Sequence, residues 1–162
     1  MSYKNLALAI ISVSMVLLIP IIIYGYAFNF AAFDKDFYKK EFLRHEVYKN
    51  LPDYDIEGIN GGVLDYLKKG EKDSIIGNNF FNAREKAHLL DVKHVIRNGF
   101  RVYYFSIFIF FILAVLLGCL SGFHLSYFLQ KIGLIMIFGS IFALAVSFLL
   151  FAVYKTDFDF AF

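Results

Sequence analysis

Residues 102–154 read VYYFSIFIFFILAVLLGCLSGFHLSYFLQKIGLIMIFGSIFALAVSFLLFAVY, and Lys131 is the single formally charged residue in that stretch. A helix needs about 20 apolar residues, rising 1.5 Å each, to cross roughly 30 Å of hydrocarbon. The stretch therefore holds two crossings, read as spans over 103–122 and 132–153, with Lys131 closing the short turn between them. Toward the N-terminus, Leu6 to Phe33 is also free of charge and supplies an earlier span over 6–26. Its apolar core exceeds the 7–15 residues of a secretory signal and no small-x-small cleavage site follows, so it reads as a retained anchor. Pro20 lies inside it and predicts a kink rather than a break, because membrane helices tolerate proline.

Composition agrees. Hydrophobic residues make up 59% and aromatics 20% of the chain, well above the roughly 45–50% apolar content of soluble domains. The net charge of +2 comes from basic residues interleaved with Asp and Glu, which excludes a nucleic-acid-binding block. Cys119 is the lone cysteine, so no disulfide forms within one chain. It reads as a small residue packed in the second span, although Leu116 to Cys119 superficially resembles a lipoprotein processing box.

The expected fold is an all-α membrane protein with three transmembrane helices and a mainly helical extracytoplasmic segment between the first and second. It has three parts: an anchor over 1–33, the segment over 34–101, and a two-helix hairpin with a short tail over 102–162. Lys4 and Lys131 lie on one side of the membrane and thirteen Lys and Arg residues between Lys35 and Arg101 on the other. The positive-inside rule governs short loops and juxtamembrane stretches, which places the N-terminus in the cytoplasm.

Within the segment, Phe33, Phe37, Val47, Tyr48 and Leu51 fall near one helical face, suited to the bilayer interface. Pro52, Gly58, the Asn60-Gly61-Gly62 run and Gly70 punctuate the chain beyond Leu51, leaving Val63–Lys69 as a short helix between turns. No Gly-rich phosphate loop and no internal repeat is found.

Residues 82–98 read NAREKAHLLDVKHVIRN. Asn82, or Asn79 if the helix starts earlier, can cap a helix here. At 100° per residue, Arg84, His88, Asp91 and Val95 share a narrow sector, and Glu85, Leu89, Val92 and Ile96 form the neighbouring, mostly apolar stripe. Lys86, Lys93 and Arg97 fall opposite. An imidazole with a guanidinium one turn before it and a carboxylate one turn after suits acid–base work, and an arginine suits an oxyanion or a phosphate-like head group. The same spacing suits an exposed, mutually paired surface stripe. A metal site of His88, Asp91 and His94 fits poorly, since His94 points about 120° away from His88 on a regular helix. His45 and His124 show no partner pattern, and neither a metal nor a cofactor is expected.

The run Arg84-Glu85-Lys86-Ala87-His88-Leu89-Leu90-Asp91-Val92-Lys93, placed after one anchor and an aromatic-rich loop and before two further spans, resembles the bacterial lipoprotein intramolecular transacylase family (Lit). Members of that family are small membrane enzymes that move an acyl chain from the sn-2 ester of a lipoprotein's diacylglyceryl-cysteine to the α-amino group of the same cysteine, giving a lyso-form lipoprotein. The resemblance implies that His88 is one of two essential histidines. It further implies supporting catalytic positions at Arg84 and Asp91, substrate contacts at Glu85 and Lys93, and bacterial lipoproteins and membrane lipids as partners in the cell membrane.

In the family, the third span leads through an Asp-Phe and Phe-rich stretch to a Phe-His motif with the second histidine, then to a fourth span. Here Asp157-Phe158-Asp159-Phe160-Ala161-Phe162 resembles the start of that stretch. From this departure the 162 residues are expected to be incomplete, to lack activity by themselves, and to leave an apolar groove beside the third span. The alternative is a catalytically inactive membrane-binding or partner protein.

Overall fold

In the computed structural model of the chain, residues 3–69, 80–122 and 124–160 are described, and among them there is no strand. Among the described residues six helices occur in chain order: α1 (Tyr3–Ala31), α2 (Lys35–Arg44), α3 (Val47–Asn50), α4 (Ile56–Lys69), α5 (Ala83–Leu120) and α6 (Leu125–Phe160). Three are long and apolar enough to cross a membrane, over Tyr3–Ala31, Ala83–Leu120 and Leu125–Tyr154. Their outward faces carry large apolar side chains, such as Phe111 at 68% and Phe148 at 74% exposure. A contiguous surface of that kind suits lipid and not water.

Two compact units divide the chain, one of Met1–Gly25 with Tyr103–Phe162, the other of Tyr26–Val102. The first is a bundle of the three apolar helices around Met15, Ile19, Leu117 and Ile135, with Met15 and Leu117 fully buried. Little hydrophobic drive acts between helices in lipid, so close approach and interhelical hydrogen bonds matter more. Both are present between α1 and α6. A Cβ on Gly139 would lie 2.7 Å from Ile19 Cβ, so only glycine admits that contact. Tyr24 donates its hydroxyl to the Ala143 carbonyl at 2.6 Å and sits 2.8 Å from Ser147 Oγ. The α5–α6 turn uses Gly122 at φ +68, a left-handed helix stop that glycine adopts without a Cβ penalty. The Ser121 hydroxyl donates to the Gly118 carbonyl there.

This hairpin corrects the expected boundaries. The third helix begins at Leu125 and not at 132, so Lys131 stands inside α6 and not in a turn. The uncharged residues 125–130 prolong the helix backward, and helix formation satisfies backbone groups that lipid cannot. The helix also continues past 153 to Phe160, where a tail was expected. Cys119 is exposed on the outer surface of α5 and is not packed inside the bundle. α1 runs through Pro20 without a break. An apolar groove of about 400 Å³ lies beside the third span, between α1 and α6.

In the second unit, Asp34 caps α2 through the amides of Asp36 and Phe37. The single aromatic face expected over 33–51 is interrupted. The chain stops α2 at Arg44 and turns through Glu46 at φ 53, the left-handed region. This rotation sends Tyr48 toward Phe42 and Glu57 while Phe37 remains 52% exposed. Helix α4 runs from Ile56 straight through Gly58 and Gly61-Gly62, where turns were expected. Each helical glycine costs about 1 kcal/mol relative to alanine. Burial of Ile56, Leu64 and Tyr66 outweighs that, and the Asp55 carboxylate accepts from the Gly58 amide to start the helix. Gly70 and Asn79 lie outside the described residues. An aromatic cluster of Phe28, Phe33 and Phe100 joins the end of α1 to α5, with the Lys68 ammonium 5.0 Å from the Phe33 ring.

Candidate functional site

The helix that carries the Arg84/His88/Asp91 stripe is not separate from the second span. Both belong to α5, a single helix of 38 residues, more than the about 20 that one crossing needs. Residues 83–101 are thus an extension of a membrane helix, and backbone hydrogen bonding continues unbroken from His88 into the span.

The extension starts on a reciprocal cap. Asn82 Oδ1 accepts from the Glu85 amide at 2.9 Å, and Glu85 Oε2 accepts from the Asn82 amide at 2.8 Å. Two of the four orphan amides at a helix N-terminus are satisfied in this way. Phe80 and Phe81 precede the cap in edge contact, and Tyr54 lies against Phe80.

Leu89, Val92, Ile96 and Phe100 are half-buried, which makes their side of α5 the packing face. That face is wider than the apolar stripe in the sequence. Lys86 and Lys93 border it and are half-buried, while Arg97 is exposed. The Lys93 ammonium lies 3.8 Å from the centroid of the Tyr66 ring, and Tyr66 is only 3% exposed. A cation this close to a ring face is attracted by its quadrupole, so Lys93 pins α5 to α4.

Arg84, His88 and Asp91 point away from that face and are all exposed. Among the described residues none of the three makes a hydrogen bond or ion pair, with one another or with any other group. The mutually paired surface stripe allowed by the spacing is therefore not what forms. Among the described residues no three His, Cys, Asp or Glu side chains converge. His45 instead sits 3.5 Å from Glu41, and His124 is exposed just before α6.

Comparison with known protein families matches residues 13–162 to lipoprotein intramolecular transacylase Lit. The chain belongs to this family. No curated protein and no solved structure matches it. The matched region takes in all of α2 to α5, so the stripe and its cap lie inside the Lit homology and not in an added segment.

Sequence reasoning missed a polar cluster in the same unit. Lys39 pairs with Glu57 at 2.9 Å, and the Tyr48 hydroxyl donates to the same carboxylate at 3.4 Å. With Lys35, Asp36, Phe42 and Asn60 they line a cleft of about 290 Å³. The Glu57 hydrogen bond and charge hold the Lys39 pKa above its ordinary value. Loss of hydration, then Glu57, raises that of Tyr48. Its three members come from three different helices, and no sequence spacing could have grouped them. Tyr66 was missed too, although it follows Ile59 and Val63 at helical intervals along α4.

Proposed function

We propose that this protein moves the acyl chain at the sn-2 ester of a diacylglyceryl-cysteine lipoprotein onto the α-amino group of the same cysteine, giving the lyso-form. The Lit match supports the reaction class. The observation that carries the residue assignment is the uncommitted state of the stripe: an exposed imidazole flanked by an arginine and a carboxylate, none of them engaged elsewhere among the described residues.

In this reading His88 takes the proton from the attacking amine. As the new N–C bond forms, Arg84 stabilises the oxyanion on the ester carbon. Collapse breaks the ester C–O bond, and His88 returns the proton to the departing glycerol oxygen. Asp91, one turn on, orients the ring once substrate is bound, since catalytic hydrogen bonds tighten from longer distances in the free protein. Amine and ester belong to one molecule, so holding them in a reactive geometry supplies up to roughly 7–11 kcal/mol of the barrier lowering. Glu85 and Lys93 hold the helix in place through the cap and Tyr66, beside the substrate contacts that the resemblance implies. Orientation belongs to the same proposal: the N-terminus in the cytoplasm, residues 34–101 outside, in the cell membrane.

The test is expression of the protein, as its gene encodes it, in a host lacking its own transacylase. Mass spectrometry of a lipoprotein N-terminal peptide should show the lyso-form. His88→Ala should abolish it while the protein stays membrane-inserted, and Asp91→Asn should reduce it less. Near-normal product from His88→Ala would overturn the assignment.

A further inference from the structure

We propose that the groove between α1 and α6 is a binding site for an anionic phospholipid, with one acyl chain along the groove and the phosphate held by Lys131. This reading is independent of acyl transfer.

The starting point is the depth of a charge. Ile19 of α1 meets Gly139 of α6, and Tyr24 bonds to Ala143, so the two helices run parallel in fixed register. Counting back along both from these contacts brings Lys131 level with Ile11. That is about 10 Å further along α1 than Lys4 and about 9 Å beyond the first residue of α6. From Leu125 to Tyr154 Lys131 is the one formally charged residue. Ionisable side chains in a span are costly and mark ligands or pathways.

Its immediate surroundings supply no counter-charge. Lys131 is half-buried, and among the described residues it has no carboxylate partner and no hydrogen bond. The ammonium lies 5.5 Å from the centroid of the Tyr127 ring, one turn back toward the helix start. A lysine reaching from the hydrocarbon edge toward the head groups adopts this posture.

Apart from Lys131 and Ser12, the groove is walled by apolar side chains, among them Val13, Val16 and Leu17 of α1 and Leu134 and Phe138 of α6, and the Ser12 hydroxyl is spent on the Leu8 carbonyl at 2.8 Å. A cation at the head of an apolar trough is complementary to an amphiphile with a negative head and a hydrocarbon tail. The half-buried ammonium without a counter-charge favours an occupant that brings an anionic head group together with a hydrocarbon tail.

Native mass spectrometry of the full chain, released from nanodiscs of equimolar phosphatidylglycerol and phosphatidylcholine with matched chains, tests the proposal. Retained phosphatidylglycerol should exceed phosphatidylcholine roughly fivefold, the ratio that one cation near an anionic head group gives. Lys131→Gln should bring the two to parity, while Lys131→Arg and Lys4→Gln should keep the preference. Leu134→Trp, which fills the trough, should remove the retained lipid. Parity in the unaltered chain, a preference that survives Lys131→Gln, or lipid-free dimers in place of lipid adducts would each overturn it.

Discussion

Replacing Asn82 by alanine removes one half of the cap that begins the His88-bearing helix. The lost acceptor bonds the Glu85 amide at 2.9 Å, and the reciprocal bond to Glu85 Oε2 loses its support. N-cap residues of this type are worth about 1 kcal/mol, with a range of 0.5–2, which is roughly a fivefold change in an opening equilibrium. The effect should stay local. The Lys86 amide, bonded to the Asn82 carbonyl at 3.0 Å, belongs to the first turn, whereas Val92 lies beyond fraying range. Hydrogen exchange in nanodiscs should therefore show Lys86 opening about fivefold faster and Val92 unchanged. A companion series separates the two roles of Glu85. Glu85→Gln keeps an acceptor for the Asn82 amide and should preserve protection, while Glu85→Ala should lose it. Acyl transfer should follow protection across the series. Unchanged exchange at Lys86 in Asn82→Ala, or an equal rise at Val92, would refute the capping argument. Loss of product in Glu85→Gln with protection intact would assign the carboxylate to the substrate.

Three further outcomes are expected. Gly139→Ala forces a methyl against buried Ile19, an overpacking that costs about 1–3 kcal/mol; in a detergent unfolding titration Ile19→Ala should recover part of it, and additive losses would show that the helices do not meet there. Lys39 has a raised pKa in the folded state, so the stability it contributes is fully present below its ordinary value of 10.5 and disappears as pH rises through the higher folded value. Proteolysis of residues 34–69 should thus accelerate above pH 10.5 in the native chain, and Glu57→Gln should remove that pH step; a step of equal size in Glu57→Gln would exclude the ion pair as its cause. In a Cys119→Ser background, cysteines at Lys40 and His124 should label in opposite fashion with an impermeant thiol reagent on intact cells, Lys40→Cys from outside only; labelling of His124→Cys alone would invert the proposed orientation.

The sequence by itself determined the three membrane helices, the helical class and the family. Transfer of an uncharged run into hydrocarbon is a sum over consecutive residues, and the Arg84–Lys93 motif is likewise local, so both are written in linear order. The Asn82 cap was legible for the same reason, since its two bonds close within four residues. Which sector of α5 packs was half legible: periodicity separated Leu89, Val92 and Ile96 from His88, but the width of the buried face, which draws in Lys93, depends on where Tyr66 arrives from another helix. Tertiary structure alone decided the rest. Helix α4 passes through Gly61-Gly62 because Leu64 and Tyr66 find a core that a propensity count cannot see. The chain breaks at Glu46 because Tyr48 gains a partner in Glu57. In linear sequence Lys131 ends an apolar count and so marks a turn, whereas the register of Ile19 on Gly139 and Tyr24 on Ala143 sets that charge inside α6. A lysine's depth in a membrane is a property of the helix packed beside it, and no window along a single stretch of sequence contains that information.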